Sequence, residues 1–292
     1  MRILHLDGGK ELRGGQWQVL RLIDGLTAAG VESTLLARKD SPLFRAAREE
    51  GWQVEALGFV RAIFLARRHD LLHAHDGHGH TIGAIAGAGK LVVSRRVAFP
   101  VRSPWKYARA RHYLAVSEFV KNVLMAGGVA EERISVVYDG VPLLDPSRGA
   151  LVMAPASEDP QKGSALALEA ARAAGVELRL SSDLERHLHE AGLLVYITHS
   201  EGLGSGALLA MSAGVPVVAS NVDGLREVIQ HGENGFLAHN TPESFAASIG
   251  ALRSDAALAR RIGEAARRTV MERFTVDRMV SRTMEVYRRM LS

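Results

Sequence analysis

The residues of this chain best suited to holding a phosphorylated ligand lie in Ser200-Glu201-Gly202-Leu203-Gly204-Ser205-Gly206. An apolar run at 193–197 precedes them, an alanine- and leucine-rich helical stretch follows, and a second apolar run occupies 216–220. Strand, glycine-rich turn, helix and strand in that order put backbone N–H groups and a helix N-terminus at the carboxyl edge of a parallel sheet. That is where α/β proteins hold anions. Glu201 adds one carboxylate to the turn.

Three further groupings carry chemistry. Asp7-Gly8-Gly9-Lys10-Glu11-Leu12-Arg13-Gly14-Gly15-Gln16 follows the first apolar run, and its paired glycines allow close approach of backbone to a ligand ahead of a helix start. The spacing is not the G-x-G-x-x-G of dinucleotide sites, and a flexible β–α loop is the plain alternative. His69, His73, His75, His78 and His80 raise the question of a metal. On a strand over 71–75, however, His73 and His75 share one face while His78 and His80 fall near the next helix start, so we expect no bound metal. Arg95, Arg96, Arg102, Lys106, Arg109 and Arg111 form a basic run without an acid, interleaved with Trp105 and Tyr107. Nucleic acid, an anionic membrane surface and a phosphorylated acceptor all suit such a run, and so does a solvated helix face.

The elements that must position these groups alternate along the chain. Strand-like runs at 3–6, 33–37, 54–57, 71–74, 91–94, 113–116 and 135–137 are followed by a turn-rich stretch, Asp139-Gly140-Val141-Pro142 to Gly149, where we place a linker. A second set follows at 151–154, 177–180, 193–197 and 216–219, and the end is mostly helical. Val19, Leu22, Ile23 and Leu26 mark the buried face of one helix; Ser117 and Thr241 read as N-caps, and Gly127-Gly128 as a stop. The pattern predicts parallel α/β layers in two halves.

The 292 residues suffice for two domains. The net charge of +4 is mild and gives no argument for nucleic acid. Without a cysteine there is no disulfide, thiolate ligand or thiol nucleophile. The first residues lack the apolar run of a signal peptide, and no stretch approaches the roughly 18 apolar residues that cross a bilayer. We expect a cytoplasmic protein, at most peripheral on the inner membrane face.

Several segments together resemble the family 4 glycosyltransferases (glycosyltransferase group 1). They are Arg13-Gly14-Gly15, His73-Ala74-His75, Ala115-Val116-Ser117-Glu118, Val137-Tyr138-Asp139-Gly140-Val141, the run from His199 to Ser220, Asp223-Gly224 with Glu227, and Gly232 to Leu237. The resemblance implies an α/β fold of GT-B type, two Rossmann-like lobes with parallel sheets facing across a cleft. It implies an acceptor lobe over 1–145, a donor lobe over 146–275 and a last helix, 276–292, returning to the first lobe. The implied reaction is retaining transfer of a sugar from a nucleotide-diphosphate sugar to a saccharide or glycolipid acceptor, as in lipopolysaccharide or surface-polysaccharide assembly. Carried over residue by residue, Glu201, Lys162 and His75 are the catalytic candidates. Gly14, Gly15, Lys162, Glu201, Gly202, Leu203, Gly204 and Ser205 would bind the donor; Arg13, Asp76, Arg95 and Arg96 would bind the acceptor. Lys162, in Lys162-Gly163, would neutralise the departing diphosphate, its plain alternative being a surface lysine ahead of a helix. No metal or other cofactor is implied. The basic run from Arg95 to Arg111 is a candidate contact with an anionic membrane, and no nucleic-acid partner is expected.

Two departures stand out. The family's E-x7-E pattern puts its second glutamate on Leu209, and its arginine five residues before the lysine falls on Ser157. The stretch 176–184 also leads directly to the next strand, where relatives carry another β–α unit, so the donor lobe is shortened. These departures motivate a rival reading, a catalytically impaired binding or regulatory module. A sugar-nucleotide epimerase is a third.

Overall fold

Strand and helix alternate throughout the computed structural model, which describes residues 1–292. In the first half the elements are β1 (Arg2–Asp7), α1 (Gly14–Ala28), β2 (Glu32–Ala37), α2 (Pro42–Glu49), β3 (Gln53–Ala56), α3 (Phe59–Ala66) and β4 (Leu71–Ala74). They continue with α4 (Gly77–Ala86), β5 (Leu91–Arg95), α5 (Pro104–Arg109), β6 (His112–Ala115), α6 (Glu118–Ala126) and β7 (Ile134–Val136). The second half has β8 (Leu151–Pro155), α7 (Ser164–Ala173), β9 (Leu178–Ser181), α8 (Leu184–His187), β10 (Ala191–Tyr196), α9 (Ser205–Ser212), β11 (Val217–Ser220), α10 (Leu225–Val228) and β12 (Phe236–Ala238). Helices α11 (Pro242–Ser254), α12 (Ala256–Arg273) and α13 (Val276–Leu291) complete the chain.

These elements form two units: Met1–Gly140 with Val276–Ser292, and Val141–Thr275. The first unit holds a seven-stranded parallel sheet in the order β3-β2-β1-β4-β5-β6-β7. The order reverses between β1 and β4, so Asp7 and the residues after Ala74 flank a topological switch point, the usual binding place of such sheets. The second unit holds a five-stranded parallel sheet, β12-β11-β10-β8-β9.

Local signals explain the helix ends. The Ser117 hydroxyl accepts from the Val120 N–H, the Thr241 hydroxyl from the Ser244 N–H, and the Asp76 carboxylate from the Gly79 N–H. Apolar spacing explains the packing. Leu22 and Leu26 of α1 join Ile3, Leu71, Val92 and Leu114 from the sheet and Met279, Val280 and Tyr287 of α13 in one core. Val280 sits in a notch made by Gly25, where an added Cβ would come within 2.5 Å of it. In the second unit, Val152, Leu193, Val195 and Val218 meet Ala167, Ala170, Phe245 and Ile249. Both sheets are therefore anchored by apolar helices, and the turns carrying Asp7, Asp76 and Glu201 leave or follow the carboxyl ends of their strands.

Candidate functional site

In the second unit three loops leave the sheet side by side. The loop after β8 is fastened by the Ala156 N–H to Ser181 O (2.7 Å), by Ser157 N–H to Ser164 Oγ (3.1 Å) and by Gln161 N–H to Asp159 Oδ1 (3.0 Å). Gly163 ends it at φ +64°, packed against Ile197 so closely that no side chain fits. The loop after β10 is held by a closed set of bonds. Ser220 Oγ accepts from Thr198 N–H (2.9 Å) and donates to Asn240 Oδ1 (2.6 Å), and Asn240 Nδ2 donates to Thr198 O (3.0 Å). Ser200 Oγ donates to Asp223 Oδ2 at 2.7 Å, and Gly224 N–H donates to Glu201 O at 3.2 Å.

These loops aim Glu201 at one spot. Its Oε2 accepts from Lys162 Nζ and from the Tyr196 hydroxyl, each at 2.9 Å. Burial, then the charge of Glu201, push the Tyr196 phenol well above its usual range, so it stays a donor. The side chain of Lys162 is 41% exposed and that of Glu201 16%, so the ammonium has room to leave the carboxylate for another anion. Next to this pair Gly204, at φ +100°, turns the chain into α9, whose first N–H groups have no partners within the helix. The result is a carboxylate, an ammonium, a phenol and a helix N-terminus around Gly202-Leu203-Gly204-Ser205. Leu209, further along α9, is buried at 7% exposure.

The first unit carries a second constellation at its switch point. Asp7 Oδ1 accepts from Gly9 N–H (2.8 Å) and from Gln16 Nε2 (3.3 Å), while Asp76 Oδ1 accepts from Gly8 N–H (3.0 Å) and Gly79 N–H (2.7 Å). Two carboxylates thus shape the Gly8-Gly9 turn. Burial, reinforced by the charge of Asp76, raises the Asp7 carboxyl to about 6. Arg13 caps α1, pairs with Glu11 at 2.7 Å and remains exposed, with Gly14 and Gly15 opening the helix.

The histidines lie beneath this surface. His5 and His73 are paired in register on β1 and β4, and His75 joins them. His5 Nδ1 meets His75 Nε2 at 3.0 Å, and His73 bridges Tyr287 Oη (2.5 Å) and Ser94 Oγ (2.8 Å). Burial, then the His69 charge, lower His5 to about 3; burial also holds His73 and His75 well below the usual histidine range. The three offer nitrogens within 4.8 Å of one another. Both nitrogens of His73 are engaged, which leaves His5 Nε2 and His75 Nδ1 as the unpartnered ones. Two imidazoles fall short of the three protein ligands of an ordinary catalytic metal site.

The candidates from sequence therefore sort by unit. Lys162, Glu201 and Gly202 to Ser205 come together in the second unit. Arg13, Gly14, Gly15, His75 and Asp76 belong to the first, and there Asp76 lies at the surface of the turn whereas His75 is buried at 6% exposure. Arg96 is also largely buried: its Nε bonds Asp139 at 2.8 Å, beside a crevice lined by Ser94, Arg96, Asp139 and Thr283. Arg95 bonds the Phe99 carbonyl and lies over the Tyr107 ring. Sequence reading missed Tyr196, a lone phenol ending an aliphatic strand, and Asp7, whose role depends on its burial. It also missed Asn240, which ties together three loops far apart in the chain.

Two family models match the chain in tandem, Glycosyltransferase Family 4 over residues 12–143 and Glycosyl transferases group 1 over residues 146–269. The chain is 35% identical to the N-acetyl-alpha-D-glucosaminyl L-malate synthase of Bacillus anthracis over 96 residues, 32% of this chain and 25% of that protein. The curated relatives it matches are thus covered over about a quarter of their length. Among solved structures, Anabaena HepE, crystallised in complex with UDP and also with UDP-glucose, superposes with a TM-score of 0.87 at 18% identity, over 99% of this chain and 100% of that one. A glycosyltransferase from Rickettsia africae gives a TM-score of 0.86 at 18% identity, over 100% of this chain and 98% of that one. Two parallel-sheet units, the glycine turn at Glu201 and the two tandem models together place this chain in family 4 of the GT-B glycosyltransferases.

Proposed function

We propose that the protein is a retaining glycosyltransferase that moves a sugar from a nucleotide-diphosphate sugar to a saccharide or glycolipid acceptor in lipopolysaccharide or surface-polysaccharide assembly. The observation that carries this reading is the convergence of Lys162 Nζ and the Tyr196 hydroxyl on Glu201 Oε2 beside the N-terminus of α9. Donor binding exchanges the Lys162–Glu201 pair for two new contacts. The ammonium moves to the diphosphate, and the freed carboxylate accepts from sugar hydroxyls while Tyr196 keeps its orientation. The N–H groups opening α9 and the lysine charge together stabilise negative charge as it develops on the leaving group. Family membership and the nucleotide complexes of the Anabaena neighbour support a nucleotide-sugar donor.

In this reading the acceptor binds the first unit at the turn shaped by Asp7 and Asp76 with Arg13. The basic run from Arg95 to Arg111 is its contact with an anionic membrane or with acceptor phosphate. No helix is long and apolar enough to cross a membrane. One observation favours the second reading, a binding module: Leu209 is a buried apolar residue where family members place a glutamate.

A thermal-shift screen of UDP, GDP and ADP sugars tests donor binding, since a ligand specific to the folded form raises Tm. Transfer by the parent and loss of transfer in Glu201→Ala support the enzyme. Donor binding without transfer to any glycan or glycolipid acceptor supports the module, and no binding of any nucleotide sugar defeats both.

A further inference from the structure

Helix α3 carries apolar residues on its exposed side as well as on the side it buries. Ala62, Leu65 and Ala66 point inward, while Phe59, Val60, Ile63 and Phe64 are 45%, 84%, 39% and 44% exposed. Phe59 with Ile63, and Val60 with Phe64, are i, i+4 pairs, so the four make one strip along two turns. Arginines frame it. The guanidinium groups of Arg61 and Arg68 lie 5.7 and 4.2 Å from the Phe64 ring centroid, and Arg67 is exposed beside them. Arg61 also pairs with Glu55. Single exposed apolar residues need no explanation, but a strip of this kind marks a contact surface.

Charge selects what contacts it. Residues 57–117 carry ten lysines and arginines against two aspartates, a net +8, whereas the whole chain carries +4. The remainder is therefore net −4, and no acid occurs anywhere from 77 to 117. Helix α4, itself without a Lys, Arg, Asp or Glu, packs beside α3 and α5 beside α4, so Lys106 and Arg109 of α5 belong to the same helical layer as Arg61 of α3. A second copy docking through the same face would set like charge against like. One two-turn helix also offers little of the ~800 Å² per partner that a stable protein interface buries. A bilayer with anionic headgroups complements both features: arginine heads reach lipid phosphates while their stems and the aromatic rings lie in the interfacial layer.

We propose that α3 is an in-plane membrane contact, with Phe59, Val60, Ile63 and Phe64 entering the interface of an anionic bilayer and Arg61, Arg67 and Arg68 binding lipid phosphate. This goes beyond the contact assigned to Arg95 and its neighbours, because it lies on another element and adds apolar insertion to charge. It stands whether or not the protein transfers sugars.

Vesicle co-sedimentation of the full chain tests it, with phosphatidylcholine alone or mixed with phosphatidylglycerol. The parent is expected to bind the mixed vesicles and not the neutral ones. Val60→Glu/Phe64→Glu should weaken binding at least tenfold, and Arg67→Ala/Arg68→Ala by about fivefold per arginine at low salt. Each altered side chain is exposed, and an unchanged Tm verifies folding of each variant. No binding of the parent to mixed vesicles overturns the proposal, as does equal binding by the parent and Val60→Glu/Phe64→Glu. If only Arg102→Glu/Arg109→Glu loses binding, α3 is excluded and the neighbouring basic run is the contact. A dimer seen by analytical ultracentrifugation that Val60→Glu/Phe64→Glu dissolves would assign the strip to a second copy instead.

Discussion

Replacing Tyr196 by phenylalanine removes one hydroxyl and nothing else from the donor site. In the free protein Glu201 Oε2 accepts from Tyr196 and Lys162 at 2.9 Å each, so the lysine still covers the carboxylate when the phenol is gone. The cost to stability is then at the low end for a hydrogen bond, about 1 kcal/mol. Once Lys162 has moved to a diphosphate, Tyr196 is the remaining partner of Oε2 and, with the Gly202 N–H on Oε1, orients the carboxylate against the sugar. The loss there is that of a bond to a charged group, about 1.5–3 kcal/mol, or roughly tenfold to a hundredfold in affinity. Calorimetry with the nucleotide sugar identified by the thermal screen should show this loss, and the matching nucleoside diphosphate, which has no sugar, should change by less than about threefold on the same scale. In a Glu201→Ala background, Tyr196→Phe should have no further effect, because both act through one contact. Equal loss for sugar nucleotide and diphosphate, or additive losses in the double variant, would refute the assignment of Tyr196 to the sugar subsite.

The pH dependence of stability follows from two opposed groups. Asp7 is raised in the folded state, so it favours folding below about 6 and its contribution is lost as pH climbs from its unfolded value toward about 6, at most about 3 kcal/mol. His5, lowered to about 3, acts the other way, its contribution vanishing as pH falls below its unfolded value near 6.5. His73, His75, His80 and His112 are shifted in the same direction as His5, so the histidines prevail, and denaturant melts should show stability falling steadily from pH 7 to pH 4. Asp7→Asn should raise stability at pH 7 more than at pH 4; the reverse order would contradict the burial argument. Gly224→Ala should lower Tm sharply and weaken donor binding, because a methyl there would overlap the Gly202 carbonyl, whereas Gly15→Ala, with open space around it, should leave Tm unchanged or slightly higher. Asp139→Ala strands the guanidinium of Arg96 in a largely buried site and should cost about 3–5 kcal/mol in urea unfolding, against under about 1 kcal/mol for Glu11→Ala at the exposed Arg13 pair.

Much of the fold is legible in the sequence because its signals are local. The apolar spacing at Val19, Leu22, Ile23 and Leu26 and the cap at Ser117 each depend on a few neighbours, and the structure honours them. Strand β12 went unread because three residues, Phe236-Leu237-Ala238, carry no period. Helix α3 was missed because it is only eight residues long and apolar residues continue onto its exposed side. At the site, Glu201 is legible from its glycine turn, yet its partners are not. Tyr196 and Lys162 lie five and thirty-nine residues away, and only strand order brings Lys162 beside the carboxylate. The histidine-rich segment shows the opposite failure. Its composition suggests exposed ligands, whereas pairing with β1 draws His73 and His75 into the interior with His5, a histidine remote in sequence.

The bond between Tyr287 and His73 also bears on how the polypeptide is made. Residues from Val276 onward supply Met279, Val280 and Tyr287 to a core whose other members lie between Ile3 and Val137. The intervening unit is closed at its own base, where Val141 N–H donates to Phe274 O at 2.9 Å and Val141 pairs with Thr275. On the ribosome, the middle of the chain can therefore fold as soon as it emerges, while the beginning waits with an incomplete core until the final helix is released. A truncated transcript lacking that helix would leave the N-terminal sheet as a target for chaperones and proteases. Conversely, joining Gly140 directly to Val276 should yield a minimal lobe carrying its full complement of core residues.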